Sequence, residues 1–91
     1  MEVRWTDKSL VDLNRLHAFL RPTNPQAAAR VVRSLIAAAK RLEQFPQLGT
    51  ALPEFAPRNV RRLIVADYEM RYELKDDALF ILRVWRARED R

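Results

Sequence analysis

Tyr68-Glu69-Met70-Arg71-Tyr72-Glu73-Leu74 alternates apolar and charged side chains without a break. A strand turns successive side chains to opposite faces, so this period of two predicts a strand with one face on a core and the other in water. The polar triplet Lys75-Asp76-Asp77 follows it and suits a turn. Ala78 to Trp85 is then a second strand, apolar on both faces until Arg83. Such a strand belongs inside a sheet, with helices over one face and other material over the second. On the N-terminal side, Val60 to Val65 supplies a further strand, making a three-stranded meander.

Upstream of the meander, residues 46–59 hold Pro46, Pro53, Pro57 and Gly49, the chain's single glycine. This composition predicts a loop, long for so small a chain, which is either functional or a plain connector. Before it, Asn24 is suited to cap a helix and Pro25 to occupy its first position. The helix should run to about Phe45, where Pro46 stops it, with Ala28, Val31, Val32, Leu35, Ala39 and Leu42 as its apolar stripe. Another helix is expected from Lys8 to about Arg21, capped by Thr6 or Asp7 and ended by Pro22. Its Leu10, Leu13, Leu16 and Leu20 are spaced to share one face, with His17 beside them. Residues 2–6 form a short strand in which Val3 and Trp5 share a face.

The order β-α-α-β-β-β predicts an α+β fold: an N-terminal strand and a two-helix hairpin packed on one face of a mainly antiparallel sheet, with residues 1–91 as one domain. The expected core is Leu13, Leu16, Leu20, Val32, Leu35, Ala39, Tyr72 and Leu82.

Composition narrows the chemistry. Hydrophobic residues are 48% and charged residues 32% of the chain, a balance typical of a folded globule. The net charge of +5 suits an anionic partner, either nucleic acid or an acidic protein, the alternative being a soluble basic surface with no specific ligand. With no cysteine there is no disulfide framework, thiolate metal site or cysteine nucleophile, which fits a reducing cytoplasm. No apolar run approaches the roughly 20 residues of a membrane span, and Met-Glu-Val-Arg-Trp is no signal peptide. One glycine cannot build a phosphate-binding loop, one histidine without cysteine cannot build a zinc site, and no cofactor is implied. Ser9 and Ser34 lack a histidine at useful spacing, and His17 on an apolar helix face reads as structural.

Arginine is abundant instead. Arg58, Arg61 and Arg62 open the first meander strand, Arg71 lies on the polar face of the second, and Arg83, Arg86, Arg88 and Arg91 end the chain. Neighbouring antiparallel strands would gather them into one basic surface beside Trp85 and Tyr68. The planar guanidinium fork suits phosphate or carboxylate.

These stretches together resemble the RelE/ParE superfamily of type II toxin–antitoxin toxins, and the ParE-like branch most. The features are Trp5-Thr6-Asp7 with Asp12-Leu13, Asn24-Pro25 with Ala27-Ala28, the spaced Leu42, Pro46 and Gly49, Val60-Arg61-Arg62-Leu63 with Tyr68 and Tyr72, and Ile81-Leu82-Arg83-Val84-Trp85 with Arg88. The resemblance implies a small basic toxin held in a hetero-oligomer by a cognate acidic antitoxin. ParE-like members poison DNA gyrase, whereas RelE-like members cleave mRNA on the ribosome. Arg86 stands where many relatives place a histidine, and neither tyrosine nor histidine follows residue 85. RNA cleavage needs a proton acceptor as well as charge stabilisation. Arg61, Arg83 or Arg86 could supply only the second, so the expectation is a gyrase poison rather than an enzyme. The alternatives are a ribosome-dependent endonuclease and a binding module without toxicity.

Overall fold

The computed structural model describes residues 1–87. Its elements run β1 (Glu2–Trp5), α1 (Asp7–Leu20), α2 (Pro25–Gln44), β2 (Thr50–Ala51), a 3-10 turn (Pro53–Phe55), β3 (Asn59–Val65), β4 (Tyr68–Lys75) and β5 (Ala78–Arg86). The α+β order expected from the sequence is present, and the proline-rich loop adds the two-residue strand β2 to it. The strands form one sheet in the order β1-β5-β4-β3-β2. All pairings are antiparallel except that of β1 with β5, which is parallel and sets Glu2 opposite Ala78 and Trp5 opposite Ile81.

Local chemistry fixes the helix starts. The Thr6 hydroxyl accepts the Ser9 N–H at 3.2 Å, and the Asn24 side chain accepts the Ala27 N–H at 3.0 Å. Each cap satisfies a donor that the first helical turn leaves without an intrahelical partner. The β3–β4 and β4–β5 turns place Ala66 and Asp76 at positive φ, 55° and 54°. Aspartate tolerates that region better than alanine does.

Leu35, Ala38, Ala39 and Leu42 of α2 and Leu13 of α1 are buried against Tyr68, Met70, Tyr72, Leu79, Ile81 and Val84 of the sheet. One expectation for the apolar face of α1 (Leu10) and one for the core (Leu82) are corrected. Leu10 is 43% exposed, because α1 is rolled so that Ser9, Asp12 and Leu13 face inward. Ser9 fits there because its hydroxyl donates to the Thr6 carbonyl at 2.7 Å. Leu82 is only half-buried, because a bulge in the β4–β5 ladder pairs Tyr72 with Ile81 and Arg71 with Arg83, leaving Leu82 without a partner opposite. The bulge restores the inward phase at Val84, which is 2% exposed.

Leu35 is fully buried between the helices and the sheet. Leu35→Ala should cost about 2–5 kcal/mol in denaturant unfolding, whereas Leu10→Ala should cost under about 1 kcal/mol.

Candidate functional site

The face of the sheet turned away from the helices carries the candidate site. Residues directly opposite one another on paired strands share a face. Arg62 pairs with Arg71, Ile64 with Glu69, Val60 with Glu73, and Glu69 with Trp85, so these side chains lie together. Glu69 and Glu73, read from the sequence as a wet face, are 6% and 8% exposed. The correction has a physical cause: the loop before β3 folds Phe55 and Arg58 back over this face. Arg58 grips Glu73 with two bonds of 3.0 and 2.8 Å, and Arg71 and Arg62 approach Glu69 at 3.1 and 3.9 Å. The Arg71 guanidinium sits 4.7 Å from the Trp85 ring centre and 5.4 Å from that of Phe55. The hydrogen bond from Arg58 holds the Glu73 carboxyl below its ordinary pKa, and burial opposes that shift without reversing it. Arginines stacked on aromatics over neutralised carboxylates make an amphipathic surface.

A second group builds the edge of the sheet. β1 covers β5 only as far as Ile81, and beyond it the outer side of β5 is closed by α1. The Thr6 N–H donates to the Ile81 carbonyl at 3.1 Å. One turn and a half further on, the Asp12 carboxylate accepts the Val84 N–H at 3.0 Å and the Arg83 guanidinium at 2.8 and 3.1 Å. Burial pushes the Asp12 carboxyl upward, but the bonds from Arg83 and Val84 and the charges of Arg83 and Arg15 outweigh it, leaving its pKa below the usual carboxylate value. Asp12 entered the sequence reading only as part of a family resemblance. Its place directly before Leu13 and four residues before Leu16, one helical turn after Ser9, was the available signal for burial.

A third group fixes the loop. The Tyr72 hydroxyl accepts the Gly49 N–H at 2.8 Å and donates to the Pro46 carbonyl at 2.7 Å, while Arg61 donates to the Gly49 carbonyl at 2.9 Å. A Cβ on Gly49 would stand 2.6 Å from the Arg62 carbonyl and 2.8 Å from the Tyr72 ring, so only glycine fits.

The expected single arginine surface is therefore divided. Arg58, Arg62, Arg71 and Trp85 meet on the face opposite the helices. Arg61 turns to the loop carbonyls on the helix side, and Arg83 is engaged at the sheet edge. Arg86 pairs across with Tyr68, on the core-facing side, and its Nε is buried without a hydrogen-bond partner. Arg88 and Arg91 lie outside the described residues. Phe55, in the loop, belongs to the surface although no period or motif marks it. Among the described residues, no three of His, Asp and Glu come together as metal ligands would, and no helix is long and apolar enough to cross a membrane.

Two outcomes test these anchors. Tyr72→Phe leaves the Gly49 N–H without its acceptor and should lower stability by about 1–3 kcal/mol, with faster hydrogen exchange at that amide. Asp12→Ala should cost about 1–3 kcal/mol at neutral pH, since the buried Val84 N–H loses its acceptor. The folded pKa of Asp12 lies below the unfolded value of about 3.9, so its contribution is present above that pH and disappears as pH falls through the folded value. The difference between the two proteins in urea unfolding should accordingly narrow as the pH is lowered below about 4.

Comparison with known proteins places this architecture. Residues 3–91 match the family described as the ParE toxin of the type II toxin–antitoxin system parDE. The chain is 31% identical over 87 residues to toxin RelE2 of Caulobacter vibrioides, covering 94% of each. It superimposes on a solved chain of the chromosomal ParDE TA system from P. aeruginosa with a TM-score of 0.79 at 26% identity, covering 94% of this chain and 95% of that one. The glycine-anchored loop, the helix hairpin and the meander thus lie in a match that spans the chain nearly end to end, and the chain belongs to the ParE toxin family of type II toxin–antitoxin systems.

Proposed function

We propose that this toxin acts by inhibiting DNA gyrase through a protein–protein interface and is neutralised by an acidic antitoxin. The observation that carries the reading is the state of the carboxylates. Asp12, Glu69 and Glu73 all stand beside the arginines, and each already accepts from one of them. The Asp12 and Glu73 carboxyls are held below their ordinary pKa values, which makes them poorer proton acceptors. A surface of arginines without a poised base suits contact better than phosphodiester cleavage. Its composition is that of an interface centre, with Trp85 and Arg71 stacked and Phe55 beside them.

The partner that neutralises such a toxin should carry carboxylates for the arginines and apolar side chains for the grooves around the helices. The solved ParDE relative is itself a toxin–antitoxin assembly. Here the net charge of +5 favours an acidic partner, with binding that weakens as salt rises.

The deciding experiment runs a gyrase supercoiling assay beside ribosome-programmed mRNA cleavage with the same purified toxin. Supercoiling should be inhibited and mRNA left intact. Trp85→Ala should weaken inhibition about 30-fold, the equivalent of about 2 kcal/mol at an interface hot spot. Circular dichroism and antitoxin binding of the variant check that the fold survives. Ribosome-dependent cleavage that is lost on Arg86→Ala would instead establish an endonuclease.

A further inference from the structure

The outer edge of β1 is a docking strand, and we propose that it pairs with the same edge of a second copy of this chain. Among the described residues β1 is the terminal strand of the sheet, with β5 on one side and no strand on the other. The Thr6 N–H points to β5, where it meets the Ile81 carbonyl. Backbone groups alternate sides along a strand, so Glu2 and Arg4 also bond toward β5, and the N–H and C=O of Val3 and of Trp5 point outward. An outward N–H and C=O on one residue are what an antiparallel partner needs to form a closely bonded pair.

Charge selects the partner. Glu2 and Arg4 lie on one face of β1, are more than half exposed, and contact each other at 3.0 Å along the strand. Antiparallel pairing about a two-fold axis at Val3 sets Val3 against Val3. The same register sets Glu2 against Arg4 of the second copy, and Arg4 against its Glu2. The strand is thus its own electrostatic complement, and opposite charges directly across a ladder are favourable. An edge guarded against association carries like charges, which repel under any self-pairing. Here the two signs cancel only in this register.

The neighbouring surface agrees. Beside β1 runs a groove of about 320 Å³, lined by Val3, Trp5, Ile36 and Ala39 with Lys40 and Glu43 among its polar residues. Met1 and Ile36, each 48% exposed, flank this edge. Edge pairing would bring apolar side chains of the second copy over them. The two-fold arrangement is isologous and closes as a dimer, so one continuous sheet of both copies results and no fibre propagates through β1.

The test is sedimentation velocity of the purified toxin from about 1 μM to about 1 mM, with hydrogen exchange read at β1. A concentration-dependent dimer is expected, with protection rising at the Val3 amide and little change at the Arg4 amide, which already bonds β5. Arg4→Glu should raise the dimer dissociation constant about tenfold, because the two-fold converts both cross-strand pairs to repulsion. The double exchange Glu2→Arg with Arg4→Glu should restore dimerisation. A toxin monomeric across the range would overturn the proposal, as would a dimer indifferent to Arg4→Glu or not rescued by the double exchange. Protection of Val3 only when another protein is added would assign the edge to that protein instead.

Discussion

β5 outruns β1. The parallel pairing ends at Ile81, and the backbone of β5 continues to Arg86 with no strand among the described residues beside its outer side. Bare N–H groups at that place would be buried beneath α1, which is costly unless they are bonded. The chain resolves this by turning from β1 straight into α1 and using side chains where a strand would have used its backbone. The Thr6 backbone still reaches Ile81, and the Asp12 carboxylate takes the Val84 N–H. The roll of α1, the burial of Ser9, the exposure of Leu10 and the placement of Arg83 all follow from bringing that carboxylate to the sheet edge.

The same constraint explains what was legible beforehand. Period two in Tyr68–Leu74 and period three to four in Ala28–Leu42 report the burial of continuous faces, and both elements were readable to within a residue or two. Caps at Thr6 and Asn24 and stops at Pro22 and Pro46 report local backbone chemistry, which needs no tertiary knowledge. Leu10 and Leu82 misled because each obeys its local pattern while a non-local event overrides it. For Leu10 that event is the docking of Asp12, seventy-two residues from its Val84 partner. For Leu82 it is the bulge, which shifts the phase of β5 at one position.

The charged face shows the limit of alternation in another way. Glu69, Arg71 and Glu73 look solvated because water is the usual partner of charge. In this fold the loop brings Arg58 and Phe55 over them, and Trp85 comes from the adjacent strand. The polar half of the period is then buried against arginine and aromatic rings. Nothing in a run of charges distinguishes water from a guanidinium as the partner. The candidate surface was therefore readable as a set of arginines. Its division between two faces and an edge required the register of the strands.

The pairing of β1 with β5 has a consequence for when the protein can become active. Thr6 closes on Ile81 across a separation of 75 residues, and every other described element lies between the two strands. Synthesis proceeds at about 5–20 residues per second from the N-terminus, so β1 emerges seconds before its strand partner β5 exists. Until β5 has cleared the ribosome, the inner edge of β1 and the inward faces of both helices have no sheet to meet. The candidate surface, which depends on Arg71 meeting Trp85 across β4 and β5, cannot assemble until β5 has emerged. The fold thus delays assembly until its last described strand has emerged, leaving an interval in which an antitoxin made alongside it can be waiting.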